Sequence, residues 1–114
     1  MGFKDEFSLD ERCNESIKIM KKYPSRIPII VEKSDKCIFK DIDKRKYLVP
    51  KDLNMNQFTF IIRKRIKLDS SQAIFLMIDS TLCPSNTSLG EIYEDHHNED
   101  GFLYVNYSSE NTFG

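Results

Sequence analysis

The chain predicts an α+β fold in which helices lie on one mixed, four-stranded sheet. Three observations lead there. Two short runs, "RIPIIVEK" and "QAIFLMID", are apolar on both faces, as befits strands covered from both sides. The segment "GFLYVNYS" sets Phe102 and Tyr104 against Leu103, Val105 and Tyr107, the two-residue alternation of a further strand. Between them, "LNMNQFTFIIRKRIK" repeats its apolar residues at helical spacing.

Taken in order, "FKDEF" has room for one helical turn. "SLDERCNESIKIMKKY" then opens on Ser8 and Glu11, a capping box, and sets Leu9, Cys13, Ile17 and Met20 on one stripe expected to face the core. Tyr23-Pro24 ends this helix, because the residue before proline is driven out of the α region. In "RIPIIVEK", Ile27, Ile29 and Val31 point one way, Pro28 and Ile30 the other. Pro28 has no N–H for a ladder, so it belongs near the strand's start or at an unpaired position. A polar stretch leads to "KRKYLVP", a short strand ending at Pro50.

Asn54 and Gln57 cap the next helix, with Leu53 placed to staple onto Phe58. Phe58, Ile61, Ile62, Arg65 and Ile66 carry its period, leaving Arg63, Lys64 and Lys67 outward. "SLGEIYEDHH" is a short helix with a second box at Ser88 and Glu91. The resulting order is α–β–β–α–β–α–β. Two strands, a helix, and two strands separated by a short helix make the β-grasp order of ubiquitin, with N-terminal helices added. Helix 54–67 covers one face of the sheet and helix 9–22 the other.

At 114 residues the chain is one domain, divided as a helical part at 1–24, a ubiquitin-like core at 25–108 and a tail at 109–114. Its net charge of −1 argues against a nucleic-acid partner, which calls for a basic excess. Cys13, Cys37 and Cys83 are odd in number and widely spaced, so neither a disulfide framework nor a zinc knuckle is expected. No metal or cofactor is implied. The longest apolar run, "AIFLMI", is far too short to span a bilayer. "MGFKDEF" lacks a signal-peptide core, and Glu6 stands where a myristoylation signal needs Ser or Thr. A cytoplasmic monomer is the expectation. Cys83 with His96 or His97 has no third group to orient a base, so catalysis is not expected.

"IDKRKYLVP" carries the chemistry. The second strand of a β-grasp lies at the sheet edge, where unpaired backbone groups can accept another strand. Lys44, Arg45, Lys46 and Pro50 can guard that edge against aggregation, or the edge can take an extended peptide. Alternation decides which pockets such a peptide would meet. Lys46 and Leu48 share a face with Pro28, Ile30 and Phe102, and Glu15 and Ile19 on the N-terminal helix rim the same cleft. Tyr47 and Val49 point the other way, toward Leu53, Phe58 and Ile61. Removing Leu48 and Tyr47 together is expected to strip both pockets and leave the fold intact.

"YPSRIPIIVEK", "IDKRKYLVP", "QFTFIIRKRIKL", "AIFLMID" and "DGFLYVNYSSENTFG" resemble the autophagy-related ubiquitin-like modifiers of the GABARAP and microtubule-associated light-chain type, in register from about Phe3 to Gly114. The resemblance implies cargo receptors and scaffold proteins whose W/F/Y-x-x-L/I/V segments add to the second strand. It assigns Glu15, Ile19, Pro28, Ile30, Lys46, Leu48 and Phe102 to an aromatic pocket. It assigns Tyr47, Val49, Pro50, Leu53, Phe58 and Ile61 to an aliphatic one and implies that Arg26, Arg45 and Arg65 meet acidic residues beside the motif.

The resemblance also explains the last residue. E1-like and E2-like enzymes would hold Gly114 as a thioester and pass it to the amine of phosphatidylethanolamine, and a cysteine protease would release the lipid-linked form. A residue without Cβ on an extended leader suits narrow active sites. Two acyl chains, at about 0.8 kcal/mol per buried methylene, would anchor the domain on autophagosomal or related membranes. A binding module that is never conjugated, working in vesicle or microtubule-linked trafficking, is the alternative. The chain departs from its relatives in "KCIFKDID", which lacks a common proline, and at Cys83 and Ser109, where proline and glycine are usual.

Overall fold

The computed structural model describes residues 2–110. Its elements are α1 (Phe3–Glu6), α2 (Leu9–Lys22), β1 (Arg26–Lys33), β2 (Lys46–Pro50), α3 (Met55–Ile66), β3 (Phe75–Ile78), β4 (Thr81–Leu82), α4 (Leu89–His96) and β5 (Leu103–Ser108). The α+β class and the ubiquitin-like order hold. The sheet has five strands, however, ordered β2-β1-β5-β3-β4. Asp79 and Ser80 both adopt positive φ and turn the chain tightly, so that Thr81 and Leu82 fold back onto Ile78 and Met77. Two exposed residues show no alternation that a sequence pattern could register.

The central pair, β1 and β5, is parallel, and the flanking pairs are antiparallel. Amide hydrogen bonds from Val31 to Arg45 and from Lys51 to Ser25 put the odd-numbered residues of β1 in the hydrogen-bonded positions against β2. Pro28, lacking an N–H, falls between them, one residue before the β5 ladder opens at Ile29. That is the unpaired position its ring requires.

One face of the sheet carries the main core. Ile27, Ile29, Val31, Leu103, Val105 and Tyr107 pack there against Phe58, Ile62 and Ile66 of α3. Asn54 and Gln57 form the reciprocal box that starts α3, and Lys67 ends it in the left-handed region. On the opposite face a smaller cluster joins Ile30 and Phe102 to Phe3 of α1, with Ile19 and Tyr104 against it. Ser8 and Glu11 cap α2 reciprocally. At α4 only the Ser88 half of the box is made.

The expected stripe on α2 is split, with Met20 inward, Cys13 half-buried, and Leu9 and Ile17 turned outward. Leu9 and Ile17 are exposed, Ile17 by 51%, and the face meeting the sheet holds Arg12, Ser16, Ile19 and Met20. Beside the apolar cluster on that face lies a polar contact. Buried Asp100 hydrogen-bonds Arg12 at 2.6 Å and the Tyr104 hydroxyl, while its carbonyl accepts from Ser16. A helix seated on a carboxylate turns its polar side inward, which apolar spacing cannot reveal.

Candidate functional site: the edge of β2

β2 is an edge strand. Since Tyr47 and Val49 are the residues hydrogen-bonded to β1, the backbone groups of Lys46 and Leu48 face away from the sheet. The Leu48 carbonyl accepts a 3.2 Å hydrogen bond from the Arg26 guanidinium, which lies across the edge. An added strand would have to displace that arm.

Above the edge, on the α2 side, Leu48 stands opposite Pro28 and Lys46 opposite Ile30. Pro28, Ile30 and Phe102 are buried, while Ile19, Leu48, Lys46 and Glu15 are half-buried around them. Lys46 is ion-paired with Glu15, so the two residues tie α2 to the strand. Below the edge, Tyr47 and Val49 belong to the main core, with Leu53 packed against it. The Tyr47 ring meets Phe58 edge-on at 5.8 Å. Its hydroxyl is buried without a partner among the described residues, and burial pushes its pKa up to about 12. Ile61 and Pro50 are exposed at the rim.

Two of the three flanking arginines are already paired with carboxylates. Arg45 is ion-paired with Glu6 of α1, and Arg65 meets Asp43 through two hydrogen bonds of 2.8 and 3.2 Å. The arginine hydrogen bonds hold both carboxyls below the usual range. As pH falls through those lowered values the carboxylates protonate and both pairs are lost.

Phe3 was missed from sequence. It is buried, with its ring 5.3 Å from Phe102 and edge-on to it, and the cations of Arg45 and Lys46 lie over it at 5.1 and 5.9 Å. Its amide donates to Glu32 at 2.7 Å. The signal was the pair of phenylalanines bracketing the charges of "FKDEF". Gly114 lies outside the described residues.

Away from this edge, His96 pairs with Asp79 at 3.3 Å, and His97 contacts the Tyr93 carbonyl at 2.8 Å and stacks on its ring. Burial and the neighbouring Asp79 push the Cys83 thiol up, away from the thiolate a nucleophile needs. Among the described residues no group of His, Cys, Asp and Glu could hold a metal, and no helix is long and apolar enough to cross a membrane.

The family model for the autophagy protein Atg8, ubiquitin-like, matches residues 11–114. The chain belongs to the Atg8 family. It is 56% identical to autophagy-related protein 8 of Schizosaccharomyces pombe over 112 residues, which cover 98% of this chain and 93% of that relative. Among solved structures it resembles Trypanosoma brucei ATG8, with a TM-score of 0.92 and 37% identity, covering 100% of this chain and 98% of that one. It likewise resembles Plasmodium falciparum Atg8 in complex with a P. falciparum Atg3 peptide, with a TM-score of 0.91 and 32% identity over 99% of each chain. Atg8 proteins are ubiquitin-like proteins of autophagy, and this chain carries that family's fold from end to end of its described residues.

Proposed function

We propose that this Atg8-family chain is a conjugated modifier and adaptor rather than an enzyme. E1-like and E2-like enzymes join Gly114 to phosphatidylethanolamine, and a cysteine protease reverses the bond. The membrane-bound form then docks W/F/Y-x-x-L/I/V segments of receptors and scaffolds for autophagosome formation and cargo selection. The observation that carries the docking half is the open edge of β2 with apolar surface on both sides of it. In an extended peptide, successive side chains point to opposite faces, so residues three apart lie on opposite sides of the strand. A W-x-x-L segment added to β2 would therefore send its aromatic ring toward Pro28, Ile30, Leu48 and Phe102 and its leucine toward Tyr47, Val49 and Phe58. The Atg3 peptide held by the Plasmodium relative supports an E2-like partner.

Intact mass spectrometry of the protein from its own cells, in membrane and soluble fractions, tests the conjugation half. A phosphatidylethanolamine adduct mapped to Gly114 is the expected result. Free Gly114 in every fraction, starvation included, would leave a peptide-binding adaptor that is never lipidated.

The acidic flank of a docking peptide competes with Glu6 and Asp43 for Arg45 and Arg65. Glu6→Gln with Asp43→Asn should strengthen binding of an acid-flanked peptide severalfold at low salt, with the gain fading as salt rises. Equal affinities for the variant and the parent at low salt would remove these arginines from the docking surface.

A further inference from the structure

We propose that the loop between β1 and β2 seats on the lipid bilayer through Ile38 once the chain is tethered at Gly114; this rests on the lipid-conjugation reading above. Ile38 is 82% exposed, the most exposed of the large hydrophobic side chains among the described residues. Its neighbours behave differently. Cys37 and Phe39 are half-buried and pack against the main core, so the loop is anchored on both sides of a single outward apolar tip. Hydrogen bonds hold its frame, from the Cys37 amide to the Ser34 carbonyl at 3.1 Å and from the Tyr107 hydroxyl to the Lys40 carbonyl at 2.7 Å.

The position of this tip identifies its occupant. The Ile38 amide donates to the Ser109 hydroxyl at 3.1 Å, which fastens the loop to the root of the tail. Gly114 follows five residues later, and five residues reach no further than about 18 Å. A lipid joined at Gly114 thus brings the bilayer within reach of Ile38, at an effective concentration on the order of millimolar for so short a leader. One side chain covers far too little for a protein interface, which needs roughly 1,200 Å² or more. On a tethered domain it has only to add a local contact. The stretch 33–45 also holds five basic residues against three acidic ones in a chain whose net charge is −1. An apolar tip among lysines, with alkyl stems along the acyl boundary and ammonium groups among the headgroups, matches a bilayer surface.

The chain contains no tryptophan, so Ile38→Trp provides a single emitter at the tip. A polyhistidine extension after Gly114, captured by a nickel-chelating lipid in phosphatidylcholine vesicles, supplies the tether chemically. The result is therefore independent of whether cells conjugate Gly114, which the mass measurement decides. Tethering should shift the emission to shorter wavelength, and lipids brominated along their chains should quench it. The same emitter placed by Ile17→Trp on the outer face of α2 should stay unshifted and unquenched. An unmoved, unquenched spectrum at position 38 on fully captured protein would overturn the proposal. Equal quenching at both positions would overturn it too, by showing adsorption without a seat.

Discussion

Replacing Arg12 by alanine should cost about 3–5 kcal/mol of stability, the usual penalty for stranding one partner of a buried ion pair. The Asp100 side chain is fully buried and that of Arg12 is 11% exposed. Burial opposes the guanidinium's charge, yet hydrogen bonds to Asp100 and Tyr104 hold its pKa above the ordinary value. Without Arg12 the carboxylate keeps the Tyr104 hydroxyl and the Phe102 amide but loses the guanidinium charge at 2.6 Å. For a domain of this size the loss corresponds to a fall in melting temperature on the order of 10–20 °C. Scanning calorimetry of Arg12→Ala and Arg12→Lys checks it, the lysine variant recovering part of the fall. A melting temperature unchanged in the alanine variant would mean that α2 is held by other contacts.

Leu48→Ala should weaken W-x-x-L peptide binding by at least about tenfold, because burying a leucine side chain contributes roughly 1.5–3 kcal/mol. Leu48 is half-buried beside Pro28 on the β2 edge, so its loss trims the wall of the groove and leaves the main core untouched. Tyr47 is a different case. It is only 6% exposed and its ring rests on Phe58 inside that core. Truncating it to alanine should cost about 3–5 kcal/mol of fold stability. The expectation that both residues can be removed from an intact fold is therefore revised, and Leu48→Ala alone is the clean variant. Calorimetric titration with a W-x-x-L peptide, beside a thermal melt, separates lost affinity from lost structure. Full affinity in a folded Leu48→Ala protein would move the groove away from β2.

What could be read in advance depended on whether a feature repeats. The period of Phe58, Ile62 and Ile66, the two-faced strands and the capping boxes of α2 and α3 are local patterns, and each reappears in the fold. The edge position of β2 followed from the β-grasp order, and its two faces followed from alternation once β1 was in register. The β3–β4 hairpin was illegible because it depends on two non-glycine residues taking positive φ. The seat of α2 was illegible for another reason. Arg12 and Asp100 lie 88 residues apart, and nothing local marks either as buried. Similarly, the pairing of Arg45 with Glu6 and of Arg65 with Asp43 depends on how distant segments meet.

The two layers on the sheet are held by different forces. The α3 side is close-packed hydrocarbon, where a shift of one methylene is felt. The α2 side hangs on directional bonds around Asp100 and a rim bridge from Glu15 to Lys46. Gly101 marks how tightly that contact is drawn, since a Cβ there would run into the Ser16 hydroxyl. The α2 side is also where the aromatic ring of a docked peptide is proposed to lie. Under that proposal the ring would meet a wall built partly of polar contacts, and the aliphatic side chain one built of close-packed hydrocarbon.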